Sequence, residues 1–143
     1  MRGTGSKMPT RCYFVKKTSG QVLKSTMKNL GADETAMVLY REKLPKFNNN
    51  GEMILNWMKW PVDKGIPKIH PTQKPVALLK RLIEIFTDPG DVVIDPVAGS
   101  GSTLRACAET GRTCYGFEVD KGFYQAAMDK MLRNTAIDLF ASA

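Results

Sequence analysis

Two carboxylates in this chain stand where chemistry could use them. Asp95 ends the apolar run Asp91-Val92-Val93-Ile94-Asp95, and Glu118 ends the shorter run Cys114-Tyr115-Gly116-Phe117-Glu118. Between them lies a small, flexible turn, Pro96-Val97-Ala98-Gly99-Ser100-Gly101-Ser102-Thr103. Gly99 and Gly101 let the backbone turn sharply and approach a ligand closely. The helix that follows would aim its free N–H groups at that ligand. A glycine-rich turn alone is equally explained by steric need, so the neighbours decide what it could bind. A phosphate loop needs Lys after the glycines, where Ser102 stands, and a dinucleotide fingerprint needs a third glycine, where Leu104 stands. The carboxylate of Asp95 also repels phosphate. Glu118 lies about 20 residues past the glycines, the separation at which a βαβ unit sets an acid on ribose hydroxyls. The pattern therefore fits a ribose and a cation better than a pyrophosphate. S-adenosylmethionine, with an adenosine ribose, a sulfonium and an ammonium, meets that description.

The elements that must hold these groups follow from patterning. Val92, Val93 and Ile94 are β-branched and uninterrupted, which predicts a strand buried on both faces of a parallel sheet. Pro96 stops it, and Ser102 or Thr103 is expected to cap a helix running through Leu104, Ala106 and Ala108. Upstream, His70-Pro71-Thr72-Gln73-Lys74-Pro75 leads into an amphipathic helix with Val76, Leu79, Leu82 or Ile83, and Phe86 on one face. Thr72 reads as its N-cap and Pro75 as a first-turn residue. The lone His70 reads as structural. Asp88-Pro89-Gly90 turns into the Asp91 strand, and Asp120 can cap a last helix with Phe123, Ala127, Met131 and the later Phe140 as apolar contacts. Helix, strand, helix, strand, helix from 73 to about 134 predicts parallel crossovers and an α/β class.

A length of 143 residues allows one domain, short for a complete doubly wound enzyme. The formal net charge of +7 tilts the expected partner toward a polyanion such as DNA. Cys12, Cys107 and Cys114 are odd in number and never spaced C-x-x-C, which points to neither a disulfide framework nor a zinc site. No signal peptide or membrane span is legible, so a cytoplasmic protein without a membrane partner is expected. Residues 1–11 are expected to be loose. Cys12–Val15 reads as a strand, Ser19-Gly20 as a turn, 21–30 as compatible with a helical face closed by Gly31, and Thr35–Tyr40 as a second strand. Arg41–Lys46, including Leu44, reads as a basic loop, and Asn48–Gly51 as a turn without core content. Met53, Ile54, Leu55, Trp57, Met58 and Trp60 form an apolar cluster, read first as a satellite core under a loop and second, with Lys59, Lys64 and Lys68, as a base-stacking surface. The division expected is 1–65, strands and loops with a possible DNA-contacting region, and 66–143, a cofactor-binding half.

Taken together, His70-Pro71-Thr72-Gln73-Lys74-Pro75, Asp95-Pro96-Val97-Ala98-Gly99-Ser100-Gly101-Ser102-Thr103 and Gly116-Phe117-Glu118-Val119-Asp120 resemble the C-terminal half of the S-adenosylmethionine-dependent DNA amino-methyltransferases. The resemblance is strong over residues 66–134. Val97 stands where the family usually has Phe, and Ser102 where Thr is common. The resemblance implies a partial Rossmann-like methyltransferase fold with a mainly parallel sheet, S-adenosylmethionine as cofactor and DNA as substrate, with adenine N6 preferred over cytosine N4. It implies that Asp95 neighbours the methionine ammonium, that Gly99, Ser100 and Gly101 pack on the cofactor with Pro96 and Ala98, that Glu118 takes the ribose hydroxyls, and that Thr72 lies near the methionine carboxylate.

One family feature is missing. Methylation of an exocyclic amine uses Asp, Asn or Ser followed by Pro-Pro and an aromatic residue, which accept the amine hydrogens and stack on the flipped base. No two of the eight prolines here are adjacent. The expectation is therefore a sheet lacking the strand that carries this tetrapeptide, no catalytic residue in the chain, and a C-terminal piece that needs an upstream catalytic fragment. The missing strand would leave an open edge, covered by the N-terminal strands, by a homodimer partner or by a complementary N-terminal methyltransferase fragment. The alternative is a non-catalytic cofactor- or DNA-binding module or an inactive truncated relic.

Overall fold

The computed structural model describes residues 10–17, 21–24, 26, 29–43, 45–133 and 135. The expectations for residues 1–9, Ser19-Gly20, Leu44 and Phe140 lie outside them. The chain divides into two compact units, one of residues 1–45 and 51–60, the other of 46–50 and 61–143.

In the first unit β1 (Thr10–Val15) runs antiparallel to β4 (Asp33–Val38), and β5 (Trp57–Lys59) lies parallel on its other side. Strand β4 alternates exposed and half-buried residues, as a sheet with one covered face requires. Phe14 on the central strand is buried. Residues 21–30, read as helix-compatible, instead form a hairpin of β2 (Gln21–Lys24) and β3 (Asn29–Gly31), with Gln21 opposite Gly31 and Val22 opposite Leu30. Each arm is too short to nucleate a helix, and cross-strand pairing satisfies its backbone instead. The satellite-core reading of 53–60 also fails. Met53 is fully exposed and Leu55 largely so, because only 57–59 of that stretch enter a strand.

The second unit carries α1 (Val76–Phe86), β6 (Val92–Asp95), α2 (Ser102–Glu109), β7 (Thr113–Gly116) and α3 (Lys121–Ala126), which runs on into a π-helical turn, Ala127–Met131. β6 and β7 pair in parallel, Val92 with Thr113 through Asp95 with Gly116. Val76, Ile83, Ala106, Cys107, Met131 and Leu132 form the core, with Val93, Leu104 and Cys114 packed on it. All these helical residues lie on one side of the strand pair. Val92 and Ile94 point the other way and are 58% and 65% exposed. The two-faced burial expected of this strand is thus half right. An uninterrupted apolar run is needed at Val93 by the core of this chain, while Val92 and Ile94 face away from every helix that packs there. Among the described residues β6 pairs only with β7, and the N-terminal strands form sheets of their own.

Segment 46–50 belongs to this unit because it closes the end of α1. The Asn48 backbone N–H donates to Ile85 O at 2.7 Å, and its side-chain amide reaches Glu84 O at 3.2 Å, Thr87 O at 2.9 Å and Asp88 Oδ1 at 2.9 Å. Phe47 packs edge-on against Phe86, and Lys46 pairs with Asp88, holding that carboxyl below the usual range. A stretch read as a turn without core content therefore satisfies the carbonyls a helix end leaves open. Replacing Asn48 with Ala is expected to cost about 1–2 kcal/mol and to lower the melting temperature by several degrees. An unchanged melt would mean that the 46–50 segment contributes nothing to α1.

Candidate functional site

The second unit brings Asp95, the glycine turn and Glu118 to the same end of the strand pair. β6 and β7 are extended past their last ladder pair by Phe117, whose N–H donates to Asp95 O at 2.9 Å and whose carbonyl accepts from Ala98 N–H at 2.8 Å. Asp95 also folds back on the turn, Oδ1 accepting the Val97 N–H at 3.1 Å. Pro96 and Val97 are exposed at its mouth. Gly99 and Gly101 both have positive φ, 54° and 77°, where a side chain would strain the backbone. Beside the turn, Gly116 is needed for room, since a Cβ there would come within 2.5 Å of Leu104 and 3.1 Å of Ala98.

Glu118 ties these parts together. Its Oε2 accepts the Gly99 N–H at 2.8 Å, and its Oε1 accepts the Asp120 N–H at 2.8 Å. Asp120 in turn caps α3 as expected, Oδ1 accepting the Phe123 N–H at 2.9 Å. One carboxylate thus fixes the apex of the loop after β6 and the start of the helix after β7. The cap of α2 differs from expectation. Gly101 occupies it in a left-handed conformation with no side-chain bond, while Ser102 is buried and shares a 2.9 Å contact with the buried Ser100 hydroxyl. The serines satisfy each other, so neither serves the helix end.

Thr72 is not the N-cap of α1 either. Pro75 takes that position, and the carboxylate of Asp63 receives the orphan Val76 and Ala77 N–H groups at 2.7 and 3.3 Å. Asp63 is the functional end-cap that local spacing missed. The one signal was its being the sole acid between Glu52 and Glu84. The turn before α1 is stapled by Gln73, which donates to Pro67 O at 2.9 Å and accepts the Ile69 N–H at 2.9 Å. Freed from capping, Thr72 bonds to His70, whose ring packs tilted against Phe123, with centroids 4.4 Å apart and planes 58° from parallel. Through α3 the 70–73 turn is thereby linked to Asp120, Glu118 and Gly99. Behind the strands the Cys107 and Cys114 thiols are hydrogen-bonded, which lowers the first and, with burial, raises the second, leaving Cys114 a neutral core group. All three cysteines are free.

A parallel strand pair with one acid ending the first strand and another two residues past the second, a glycine turn between them and helices on one face is part of a methyltransferase fold. The family model for DNA methylases, covering the N6 and N4 amino-methylases, matches residues 12–129, and the chain belongs to that family. It is 33% identical over 101 residues to the DNA adenine methyltransferase YhdJ of Escherichia coli K12, an alignment spanning 68% of this chain and 34% of that protein. To the type II methyltransferase M.HindIII of Haemophilus influenzae it is 42% identical over 69 residues, 48% of this chain and 21% of the relative. The solved M1.HpyAVI–SAM complex superposes with a TM-score of 0.72 at 29% identity, covering 83% of this chain and 59% of that one. The chain matches about a third or less of the length of these curated relatives. Among the described residues no helix is long and apolar enough to cross a membrane.

The geometry ranks the two loop glycines. A Cβ on Gly101 would meet Ala127 at 3.3 Å as well as the unfavourable φ, whereas one on Gly99 would meet nothing within 4 Å. Gly101→Ala is therefore expected to destabilise by about 2–3 kcal/mol and Gly99→Ala by about 1 kcal/mol. Equal melting shifts for the two variants would contradict this packing of the turn.

Proposed function

We propose that this chain binds S-adenosylmethionine and forms the cofactor half of a DNA amino-methyltransferase whose target is adenine N6. The observation that carries the reading is the Glu118 carboxylate bonded to Gly99 across the ends of two parallel strands, with Asp95 on the neighbouring strand end. These residues fit the group. A carboxylate anchored by backbone donors keeps lone pairs for ribose hydroxyls, and Asp95 offers negative charge to an ammonium. Gly99, Ser100 and Gly101, flanked by Pro96 and Ala98, present backbone without side-chain bulk. Thr72 stands at the amino-acid end of the cofactor. S-adenosylmethionine brings an electrophilic methyl group on a sulfonium sulfur. The work of this chain is to hold the nucleoside and the amino-acid end in fixed relation and to keep that group beside the base. Adenine as the target is supported by the likeness to YhdJ, itself a DNA adenine methyltransferase. A DNA substrate accords with the cytoplasm as the compartment.

DNA contact is assigned to the first unit. It holds ten of the 21 Lys and Arg against four of the 14 acids, a net +6, while the second unit has eleven against ten, a net +1. Clustered positive charge favours phosphate contacts through counterion release. The base-activating tetrapeptide must come from elsewhere, because this sequence has no adjacent prolines. A complementary methyltransferase fragment fits the uncovered side of β6, where Val92 and Ile94 are exposed, better than a second copy of the chain, which has no such motif to contribute. That same absence supports a second reading, a cofactor- or DNA-binding module without catalysis.

Calorimetric titration with S-adenosylhomocysteine tests the core of the proposal. Heat of binding is expected for the chain and at least a tenfold weaker affinity for Glu118→Ala. No heat from a folded sample, or equal binding by the variant, would overturn it. Methyl transfer to DNA is expected only when a fragment carrying the Pro-Pro motif is added. Transfer by the chain alone would show that its catalytic residues have been misplaced, and none after addition would favour the binding module. DNA binding should weaken steeply with salt, and Trp57 and Trp60 fluorescence unchanged by DNA at low salt would contradict the assignment to the first unit.

A further inference from the structure

The two tryptophans of the first unit stand on opposite faces of its sheet. Strand register sets Tyr13 between Thr35 on β4 and Trp57 on β5, so these three side chains form one row on the same face. The Tyr13 N–H donates to Asn56 O at 2.8 Å, which holds β5 at this register. Phe14, one residue on, turns the other way and is buried, so its face is the covered one. Trp60 continues the ladder through its N–H, 2.7 Å from Val15 O, and being three residues past Trp57 it shares the side of Phe14. There Lys16 Nζ lies 4.5 Å from its ring centroid while pairing with Glu34. Trp57 stays 44% exposed on the open face. Arg11, two residues before Tyr13, and Lys59, two residues after Trp57, flank the aromatic row on that face from opposite sides, and both are exposed. Neither forms an ion pair with another described residue. Asp33, across β1 from Lys59, is the one acid of these three strands on the open face.

Two aromatic side chains on strands about 4.8 Å apart, with a free cation at either end, make a platform on which bases stack while the cations meet phosphates. A duplex presents only base edges in its grooves, its base faces being stacked on one another, so ring contact of this kind selects an unpaired strand. We propose that the open face of the β4–β1–β5 sheet binds a single-stranded polynucleotide, with bases stacked on Trp57 and Tyr13 and phosphates on Arg11 and Lys59. This rests on the assignment of nucleic-acid contact to the first unit and deepens it. Net charge accounts for phosphate contact with any polynucleotide, whereas this face discriminates unpaired bases from paired ones. In the sequence Trp57 stands beside Trp60 and far from Tyr13, and only strand pairing regroups them.

Trp60 supplies the control. In the full chain carrying Trp60→Phe the tryptophan emission reports Trp57 alone, and in Trp57→Phe it reports Trp60 alone. Each is titrated at low salt with oligothymidylate, with oligouridylate and with a duplex of the same length. Trp57 emission is expected to be quenched by a single strand and not by the duplex, with Trp60 unmoved by all three. Quenching by either single strand supports the proposal, and the tighter of the two identifies the sugar preferred. Tyr13→Leu, which keeps an apolar side chain in the row, is expected to weaken single-strand binding about tenfold and to leave duplex binding unchanged. Trp57 emission unmoved by both single strands, quenching of both tryptophans alike, or equal loss of single-strand and duplex binding in Tyr13→Leu would overturn the proposal. Salt-sensitive duplex binding with Trp57 silent toward every strand would remove it and leave the first-unit assignment standing. Absence of binding to any of the three would remove both.

Discussion

A single carboxylate with both oxygens committed to backbone amides organises the second unit. Glu118 reaches from the end of β7 to the apex of the loop after β6 and to the first turn of α3. Glycine turns are costly to order because the backbone has so many conformations to lose. A charged acceptor on the Gly99 amide offsets that cost at a residue whose φ is positive. Everything else at the site is arranged around this fixed point. The Ala98–Phe117–Asp95 exchange extends the parallel ladder up to it, Gly116 makes room beneath it, and Ala127 with Leu132 closes behind Gly101. A ligand that hydrogen-bonds to Glu118 would therefore meet a loop already ordered.

The second constraint is the one-sidedness of the sheet. Helices α1 and α2 and the π-helical turn pack on one face, where Ala106 and Cys107 are fully buried, and no element of this unit among the described residues covers Val92 and Ile94 on the other. Tyr115, in register with Ile94, is also half exposed there. An apolar sheet face of this kind beside an unpaired strand edge favours association. It gives a physical reason for a complementary fragment that does not depend on the missing tetrapeptide. Charge is also divided unevenly, net +6 in the first unit and +1 in the second, which is the basis for the proposed assignment of DNA contact to the first.

Much of this was legible in the sequence. The alternation of helices and strands from residue 73 onward, the strand end at Asp95, and the Asp120 cap all follow from short-range signals: periodicity, punctuation by Gly and Pro, and an acid one turn before an amide. What failed were choices between nearby partners. Thr72 and Ser102 are good capping residues by type, but Asp63 and Gly101 took those places and left the hydroxyls to His70 and Ser100. Asp63 reaches α1 from 13 residues away, beyond any capping pattern. Asn48 shows the same limit, since its acceptors lie 36 to 40 residues on. The hairpin at 21–31 was misread because short apolar runs fit either period, and burial of Val92 and Ile94 because an apolar run does not say whether its cover belongs to the same chain.

Amide hydrogen exchange at Gly99 and Asp120 tests the central claim most directly, that Glu118 builds the loop and then serves the ligand. In the wild-type chain both amides should be protected, and S-adenosylhomocysteine should slow them further. In Glu118→Gln, which keeps the size but loses the charge, both should exchange faster and respond little to the ligand. Protection of Gly99 unchanged by the substitution, or a ligand effect of equal size in the variant, would contradict the account.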